Sequence, residues 1–353
     1  MTEKNEKTDI LNHLKEVEKN KMLNFKRSND NMNKRNNFNL TPGDVNMNIF
    51  ETTVTFLSDS NKNVSIKSIY QDSLCNGSSI GTVVAVHGCP GSHKDFKYIE
   101  PLLTKIGIRL VGLNFPGFGL TESHNHLKHT NTERVRFVEA MLKILNINEK
   151  IIFIGHSRGS ENALKMAALF KEHTIGAILV NPVGIKIHRG MKPTFFISVG
   201  AALWKMSTGM QYIISPIVKI LYKNIGMRIN SSQEAGTSLI TIDNTDCEGQ
   251  LKYIDIVNES NIIIINAIGG KDQLIEYPVS IDFGERFKGN IFITEDPKSK
   301  LQNGDDMVNS IIGKIKEGYT KFSAIFPDDG HYVQKYKAVF IANSISAILR
   351  RQT

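Results

Sequence analysis

The 353-residue chain is 41% hydrophobic and carries a formal net charge of +8, a composition that excludes a wholly disordered polypeptide and a small disulfide-stapled domain. Its three cysteines, Cys75, Cys89 and Cys247, are too few and too scattered for a disulfide framework, which favours a reducing, cytoplasmic location. No nucleic-acid motif accompanies the basic charge, so we predict no nucleic-acid partner. We also predict no stable insertion into a membrane, and peripheral contact with a membrane stays open.

Residues 1–45 differ in composition from the rest of the chain. They are rich in Asn and Lys, carry charges of both signs and hold almost no aromatic residues. Such a stretch cannot form a core of its own, so we predict a flexible polar tail. It lacks the apolar segment of a signal peptide, and its acidic residues argue against a transit peptide.

The first strand-like run, residues 82–86, leads into the sequence His87-Gly88-Cys89-Pro90-Gly91. A loop of this composition exposes backbone N–H groups at the end of a strand, where each can stabilise a developing oxyanion by about 3 kcal/mol. We expect the N–H groups of Cys89 and Arg158 to form this pair. A second Gly-rich loop, residues 114–119, follows the strand-like run 108–112 and is expected to line the same rim.

The most informative segment is the apolar run 151–154, which ends in the pentapeptide Gly155-His156-Ser157-Arg158-Gly159. A helix-like segment follows it directly. Between a strand and a helix, Gly-X-Ser-X-Gly is typical of a nucleophile elbow, whose glycines permit a strained turn that exposes the serine. Ser157 is therefore the candidate nucleophile. Arg158 has two interpretations, because it can pair with Glu161 on the same helix or bind a substrate carboxylate.

A nucleophilic serine needs a base, and an acid that orients the base. The apolar run 261–268 is followed by a Gly-rich loop and Asp272, so this carboxylate is expected at the carboxyl end of a strand. His331 follows another strand-like run, residues 322–326, and its imidazole can accept and return a proton near neutral pH. We predict that Asp272 and His331 complete a triad with Ser157. Three other carboxylates remain candidates for the acid: Asp296, Asp305 and Asp306.

Between residues 185 and 257 the alternation of strand-like and helix-like runs breaks. Two apolar runs, 193–204 and 212–222, are too short and too interrupted to span a bilayer, and two amphipathic cap helices are the better interpretation. An apolar cap can close over an apolar substrate and exclude water. At least one of four aromatic residues is predicted to contact the substrate, the alternative being that they only pack on the core: Phe195, Phe196, Trp204 and Tyr212.

Three histidines, His124, His126 and His129, lie close together in one polar stretch. A zinc site needs a structured set of ligands with supporting hydrogen bonds, so we predict a solvated loop here instead of a metal site. No other motif indicates a metal or a cofactor, and we predict that the protein uses neither.

The order of these motifs resembles that of the α/β-hydrolase fold family, from about Val54 to the C-terminus. More narrowly, the sequences at 91–98 and 155–164 look like an uncharacterised branch of that family that is abundant in nematodes. The resemblance implies an α/β fold with a doubly wound, mostly parallel eight-stranded sheet and helices on both faces. It also implies a helical cap inserted over a Ser-Asp-His triad.

Two departures from the family pattern bear on the reaction. Asn114 stands where the family commonly has Asp, which removes a structural charge but no member of the triad. Relatives that hydrolyse epoxides or haloalkanes carry an aspartate nucleophile at the elbow, so Ser157 disfavours those reactions.

These patterns divide the chain into a tail (1–45), the first part of a hydrolase core (46–184), a helical cap (185–257) and the second part of the core (258–353). We predict a serine hydrolase that cleaves an ester or related acyl bond in a small, fairly apolar substrate. Two alternatives remain, a catalytically silent binding protein of the same fold and a lyase that uses the same three residues.

Overall fold

The structure, a computed structural model, describes residues 48–224, 227, 229, 231–296 and 305–351. The predicted polar tail, residues 1–45, lies outside these residues. The described residues belong to one unit of the fold, which begins at Asn48.

One sheet runs through the described residues, and its nine strands are β1 (Ile49–Leu57), β2 (Asn63–Asp72), β3 (Thr82–Val86), β4 (Arg109–Leu113), β5 (Ile151–His156), β6 (Thr174–Val180), β7 (Ile263–Gly269), β8 (Ile291–Thr294) and β9 (Lys321–Phe326). Their order across the sheet is β1-β2-β4-β3-β5-β6-β7-β9-β8. Strand β2 runs antiparallel to β1 and β4, and all other neighbours are parallel. This confirms the predicted fold, with nine strands instead of eight. The count of eight follows from the family resemblance, and the motifs themselves mark neither β1 and β2 nor the four-residue edge strand β8.

Helices connect the strands, and within the described residues they are α1 (Glu100–Lys105), α2 (Asn131–Ile144), α3 (Arg158–Leu169), α4 (Thr194–Met206), α5 (Thr208–Asn224), α6 (Ser232–Asp243), α7 (Leu251–Asn258), α8 (Tyr277–Glu285), α9 (Asp305–Lys316), α10 (Val333–Tyr336) and α11 (Ala338–Arg350). Side-chain caps satisfy free N–H groups at the start of α2 and α6, where Thr130 and Ser231 accept hydrogen bonds. Helix α3 begins without a side-chain cap. Its first N–H groups therefore stay available at the end of β5.

Two apolar layers, one on each face of the sheet, form the core. Along β3, Val84 and Val86 face one layer, and Val83 and Ala85 face the other, as the two-residue period of a strand requires. Helices α2, α3 and α8 pack on the first layer, and α1, α9 and α11 on the second. The parallel strands β3, β5, β7 and β9 are therefore buried along their whole length. Their carboxyl ends meet at one edge, where such sheets carry their sites.

Helices α4, α5 and α6 share a separate apolar cluster within the interval for which the sequence predicts a cap. Its buried side chains include Trp204, Ile214, Val218 and Leu239. Helix α6 packs against both α4 and α5, and its Thr237 lies against the loop at 114–119. It therefore lies between the outer two helices and the rim of the sheet. No helix in the described ranges combines the length and the apolar character that crossing a bilayer requires.

Candidate active site

Ser157 stands on a strained turn between β5 and α3. Its backbone angles are φ 50° and ψ −122°, a combination that residues other than glycine rarely adopt. The two glycines of the motif make the turn sterically feasible. A Cβ at Gly155 would lie 2.4 Å from the Gly159 carbonyl oxygen, and one at Gly159 would lie 2.3 Å from that of Val86. The Ser157 N–H donates to the Val180 carbonyl at 2.8 Å, and the result is the geometry of a nucleophile elbow.

A hydrogen bond joins the other two candidate catalytic residues. His331 Nδ1 lies 2.8 Å from Asp272 Oδ2, and both side chains are buried. Asn181 Nδ2 donates to the same oxygen at 2.8 Å. The N–H groups of Leu274 and Ile275 donate to Oδ1 at 2.8 and 3.0 Å. These donors hold the carboxylate of Asp272 in a single orientation.

The charges of this pair follow from its surroundings. Burial lowers the pKa of His331 below its usual range, and the hydrogen bond to Asp272 opposes this only in part, so the imidazole is neutral near pH 7. Burial alone would raise the pKa of Asp272, but the hydrogen bond from His331 lowers it overall. Because a carboxylate only accepts, Nδ1 of His331 carries the proton. The lone pair is left on Nε2, where a base is needed.

His156, the residue before Ser157, connects the elbow to His331. Its Nε2 donates to the His331 carbonyl oxygen at 2.9 Å, and the two imidazole centroids are 5.0 Å apart. Its Nδ1 lies 3.3 Å from Asp95 Oδ2, which also accepts from the Gly88 N–H at 3.1 Å. One side chain therefore ties together the elbow, the loop that carries His331 and the loop after β3.

The predicted oxyanion donors lie beside the elbow. The backbone N–H groups of Cys89 and Arg158 donate to no acceptor within the residues that the structure describes. A Cβ added at Gly88 would lie 3.3 Å from the Ser157 Cβ, so this loop is in contact with the candidate nucleophile. Two uncommitted donors next to a serine can stabilise a tetrahedral oxyanion.

The thiol of Cys89 has a different environment from its backbone. Burial raises the pKa of this thiol to about 11, and its Sγ lies 3.5 Å from the Ser238 carbonyl oxygen as a donor. Only a thiolate is a good nucleophile. The chemistry available at Cys89 is therefore that of its N–H group.

His87 and Asn114 hold the rim loops together. His87 Nε2 accepts from the Phe115 N–H at 3.0 Å, and Nδ1 donates to a backbone carbonyl at 2.7 Å. Burial lowers the pKa of His87 to about 3, so this imidazole is neutral. Asn114 Oδ1 accepts from the His93 N–H at 2.8 Å, and its Nδ2 donates to the Ile69 carbonyl at 3.0 Å. An aspartate has no such donor, which is a physical reason for Asn at this position.

The guanidinium of Arg158 is committed to other parts of the protein. It donates to Glu161 Oε2 at 2.5 Å, to the side chain of Asn131, and to the carbonyl oxygens of Thr241 and Asn244 at 3.3 and 3.4 Å. Of the two interpretations of Arg158, the structure contains the pair with Glu161. These four hydrogen bonds hold the guanidinium in place and leave one N–H of Nη1 without an acceptor among the described residues.

Arg134 on α2 is a second buried arginine and has fewer partners. Its Nε donates to Asn162 Oδ1 at 2.8 Å, and its Cζ lies 3.5 Å from the ring centroid of Phe115. Its two terminal nitrogens contact no acceptor in the described part of the chain. Burial lowers its pKa to about 9. Arg134 supports the loop at 114–119 from behind by stacking on Phe115.

The three other candidate acids lie elsewhere in the fold. Asp305 and Asp306 begin α9, where Asp305 accepts from Asn343 at 3.3 Å. Asp296 is exposed just after β8. Of the four candidates, the one that bonds to His331 is Asp272.

The three clustered histidines separate into different environments. The rings of His124 and His126 are 5.1 Å apart. His129 is buried, with Nε2 3.2 Å from Ser123 Oγ, and its N–H donates to Glu133 at 2.7 Å. The prediction of a solvated loop is therefore wrong for His129, because the start of α2 holds its backbone inside the protein.

The structure does not bring the four predicted substrate contacts to the candidate triad. Trp204 is buried in the apolar cluster that α4, α5 and α6 share, where its ring covers Gly236 of α6. Phe195, Phe196 and Tyr212 are 69, 70 and 85% exposed. The helical period identifies an apolar face, but it does not say whether that face packs inward. Contact between these residues and a substrate stays a prediction.

A cavity of about 480 Å³ lies at the base of α4 and α6. None of the candidate catalytic residues and none of the four aromatic residues is among the described residues that line it. Its apolar lining consists chiefly of Ile185, Ile187, Met191, Ile197, Ile242 and Cys247. The loop after β6 borders this cavity and also bonds through His188 to the Leu274 carbonyl, close to Asp272.

Sequence reasoning missed the roles of Asn181 and Asp95. Asn181 follows β6 with φ 44° and bonds to Asp272. Its signal is a polar residue directly after an apolar strand, next to the strand that carries the acid. Asp95 belongs to a Ser-X-X-Asp capping box with Ser92, which explains its backbone contacts but hides its contact with His156.

The sheet order, the elbow and the buried Asp-His pair define a protein of the α/β-hydrolase fold. The chain belongs to the family described as "Alpha/beta hydrolase of unknown function (DUF1057)", whose sequence model matches residues 46–350. It is similar to an uncharacterized protein of Caenorhabditis elegans, with 26% identity over 325 residues that cover 86% of this chain and 88% of that one. The predicted family is thereby confirmed.

Solved structures give the same fold. A thermophilic esterase from Thermogutta terrifontis matches with a TM-score of 0.57 and 14% identity, over 85% of this chain and 98% of that one. A putative lipase from Acinetobacter baumannii matches with a TM-score of 0.58 and 14% identity, over 90% of this chain and 98% of that one. At such identity the likeness is one of fold.

Proposed function

We propose that the protein is a cytoplasmic, cofactor-independent serine hydrolase that cleaves an ester or related acyl bond in a small, fairly apolar substrate. The observation that carries the proposal is the hydrogen bond from His331 Nδ1 to Asp272, which leaves Nε2 as the basic nitrogen. The strained turn at Ser157 is the second support.

In the proposed reaction, Ser157 Oγ attacks the carbonyl carbon while His331 Nε2 takes the hydroxyl proton. The carbonyl oxygen becomes an oxyanion, which the N–H groups of Cys89 and Arg158 stabilise. His331 then returns the proton to the leaving group, and an acyl-serine remains. Water attacks this acyl group with His331 again as the base, which restores Ser157. Asp272 orients the imidazole and stabilises its charge while it holds the proton.

The cavity at the base of α4 and α6 supports a small substrate, because its size suits a small organic molecule. Its aliphatic side chains suit the apolar part of such a molecule, and the lining also includes Lys186, Asp243 and Glu248. Its border with the loop after β6 connects it to the segment that carries Asp272. The three cysteines are free thiols, which fits a cytoplasmic enzyme.

A fluorophosphonate probe tests the proposal without knowledge of the substrate, because it labels serines that an adjacent base activates. We expect mass spectrometry to find the adduct on Ser157. Ser157→Ala should abolish labelling. Ser79→Ala should leave labelling unchanged, because Ser79 is exposed and does not belong to the candidate site.

The alternatives give other results. Absence of any adduct on the folded protein would contradict the proposal and favour the catalytically silent binding protein. An adduct on Ser157 together with carbon–carbon bond cleavage that forms no acyl-serine would favour the lyase.

A further inference from the structure

The outer surface of α4 and α5 is unusually apolar. Nine large hydrophobic side chains are exposed there. Eight of them are among the nine most exposed large hydrophobic side chains in the described part of the chain. This exposed cap surface consists of Phe195, Phe196, Val199, Met206, Tyr212, Ile213, Ile217, Ile220 and Leu221. Proteins that remain in water seldom concentrate apolar side chains in this way, so the surface is adapted to contact with another phase or molecule.

Helix α5 carries two neighbouring apolar rows. Ile214, Val218 and Tyr222 are buried in the cluster that α5 shares with α4 and α6. Ile213, Ile217, Ile220 and Leu221 repeat at helical spacing beside them and are 56–60% exposed. The inner row alone accounts for the packing of α5, since a helix at a protein surface normally has polar residues on its outer side. The outer row therefore serves a contact outside the fold.

The charges of this segment have one sign. No Asp or Glu occurs between Glu172 and Glu234, whereas the same stretch contains seven basic residues, close to the whole formal net charge of +8: Lys186, Arg189, Lys192, Lys205, Lys219, Lys223 and Arg228. Lys192, Lys205 and Lys223 are exposed on or beside α4 and α5. The complement of this surface is an apolar phase bordered by negative charge.

We propose that the exposed cap surface docks on anionic lipid bilayers, with α4 and α5 lying in the interface. The aromatic and aliphatic side chains enter the boundary between headgroups and acyl chains, and the lysines remain among the phosphates. Two copies facing each other through this surface would bring the Lys205 and Lys223 side chains of both copies together, which disfavours a homodimer. The proposal does not depend on whether Ser157 is active.

Co-sedimentation of the full chain with lipid vesicles tests the proposal. We expect binding to vesicles of phosphatidylcholine and phosphatidylserine, weaker binding to phosphatidylcholine alone, and release by added salt. The double variant Phe196→Asn, Ile217→Asn should weaken binding by about tenfold or more. The double variant Lys205→Gln, Lys223→Gln should weaken binding roughly tenfold on the anionic vesicles only.

A matched control lies at the end of α3, where Leu169 and Lys171 are also exposed. Leu169→Asn, Lys171→Gln should bind as the wild type does, and all variants should keep the wild-type melting temperature because every site is exposed. Retention of the wild type in the supernatant with both vesicles would overturn the proposal. So would a dimer in sedimentation equilibrium that Ile217→Asn dissociates, since the surface would then join two copies of the chain.

Discussion

The proposed chemistry depends on which nitrogen of His331 carries the proton. Asp272 Oδ2 accepts from His331 Nδ1 and from Asn181 Nδ2, both at 2.8 Å, so it faces two donors. This arrangement selects the tautomer with a free lone pair on Nε2. Asn181 contacts the Asp272 carboxylate and not His331 itself, so we regard it as a positioning residue.

Replacing Asp272 by Asn reverses this selection. The new amide would donate to Nδ1 of His331, the proton would move to Nε2, and the base would be lost. We expect turnover of p-nitrophenyl butyrate to fall about ten-thousand-fold, as in serine hydrolases that lose this carboxylate. The melting temperature should fall modestly, because the new amide NH2 would face the Asn181 Nδ2 donor, while Oδ1 would still accept from Leu274 and Ile275.

Asp305→Asn is the control for this change. Asp305 lies at the start of α9, where its carboxylate accepts from Asn343 and does not bond to His331. Full activity of Asp272→Asn together with inactivity of Asp305→Asn, or of the same change at Asp296 or Asp306, would contradict the assignment.

Helix α6 is buried on nearly every side, from Glu234 to Thr241. Its Gly236 accommodates the ring of Trp204 on one side. Its Thr237 rests on Gly117 of the rim loop on the other. A change in how α4 packs on α6 therefore reaches the loops that border the candidate site.

Gly236→Ala tests this packing. The new Cβ would overlap the Trp204 ring, with its nearest ring atom only 1.8 Å away, so the ring must shift. We expect a loss of about 1–3 kcal/mol in the free energy of unfolding, despite the helical preference of Ala. Urea denaturation followed by Trp204 fluorescence measures this, because Trp204 is the single tryptophan.

Gly313→Ala on α9 is the matched control, since an added Cβ there meets nothing within 4 Å. It should stabilise the protein by about 0.5–1 kcal/mol. Equal effects of the two substitutions would show that Trp204 does not pack on Gly236 in solution.

Buried histidines make the stability of the whole protein sensitive to mild acid. Burial lowers the pKa of His87 to about 3 and that of His129 to about 4, and it also lowers the pKa of His188 and His331. The unfolded chain therefore binds more protons than the folded protein below the ordinary histidine pKa of about 6.5. The stability that neutral histidines contribute is complete above this pH and is lost as the pH falls towards 4.

The free energy of unfolding should fall by about 1.4 kcal/mol per pH unit for His87, and by as much for His129, between about pH 6 and pH 4.5. His129→Asn should reduce this slope by about 1.4 kcal/mol per pH unit. Asn tolerates the positive φ of 54° at this position. Chemical denaturation at a series of pH values measures the slope, and His173→Asn at an exposed position is the control. The prediction fails if the two variants have the same slope.

The sequence by itself determined the fold class and the strand-end positions of Ser157, Asp272 and His331. An elbow depends on sterics within five residues, and an apolar run that ends in a polar residue marks the carboxyl end of a buried strand. Such signals depend on neighbouring residues alone, so they can be recognised without knowing which distant segments those residues contact. The edge strand β8 has only four residues, which is too short for a recognisable sequence pattern.

Only the tertiary structure decided which side chains face each other. It paired Arg158 with Glu161 and Asn131, brought Asn181 to Asp272, and linked His156 to Asp95. It also turned Trp204 inward and left Phe196 and Tyr212 in solvent. Residues far apart in sequence satisfy one another's hydrogen bonds only after the strands align. For the same reason, which side of an apolar helix is buried depends on the elements that pack against it.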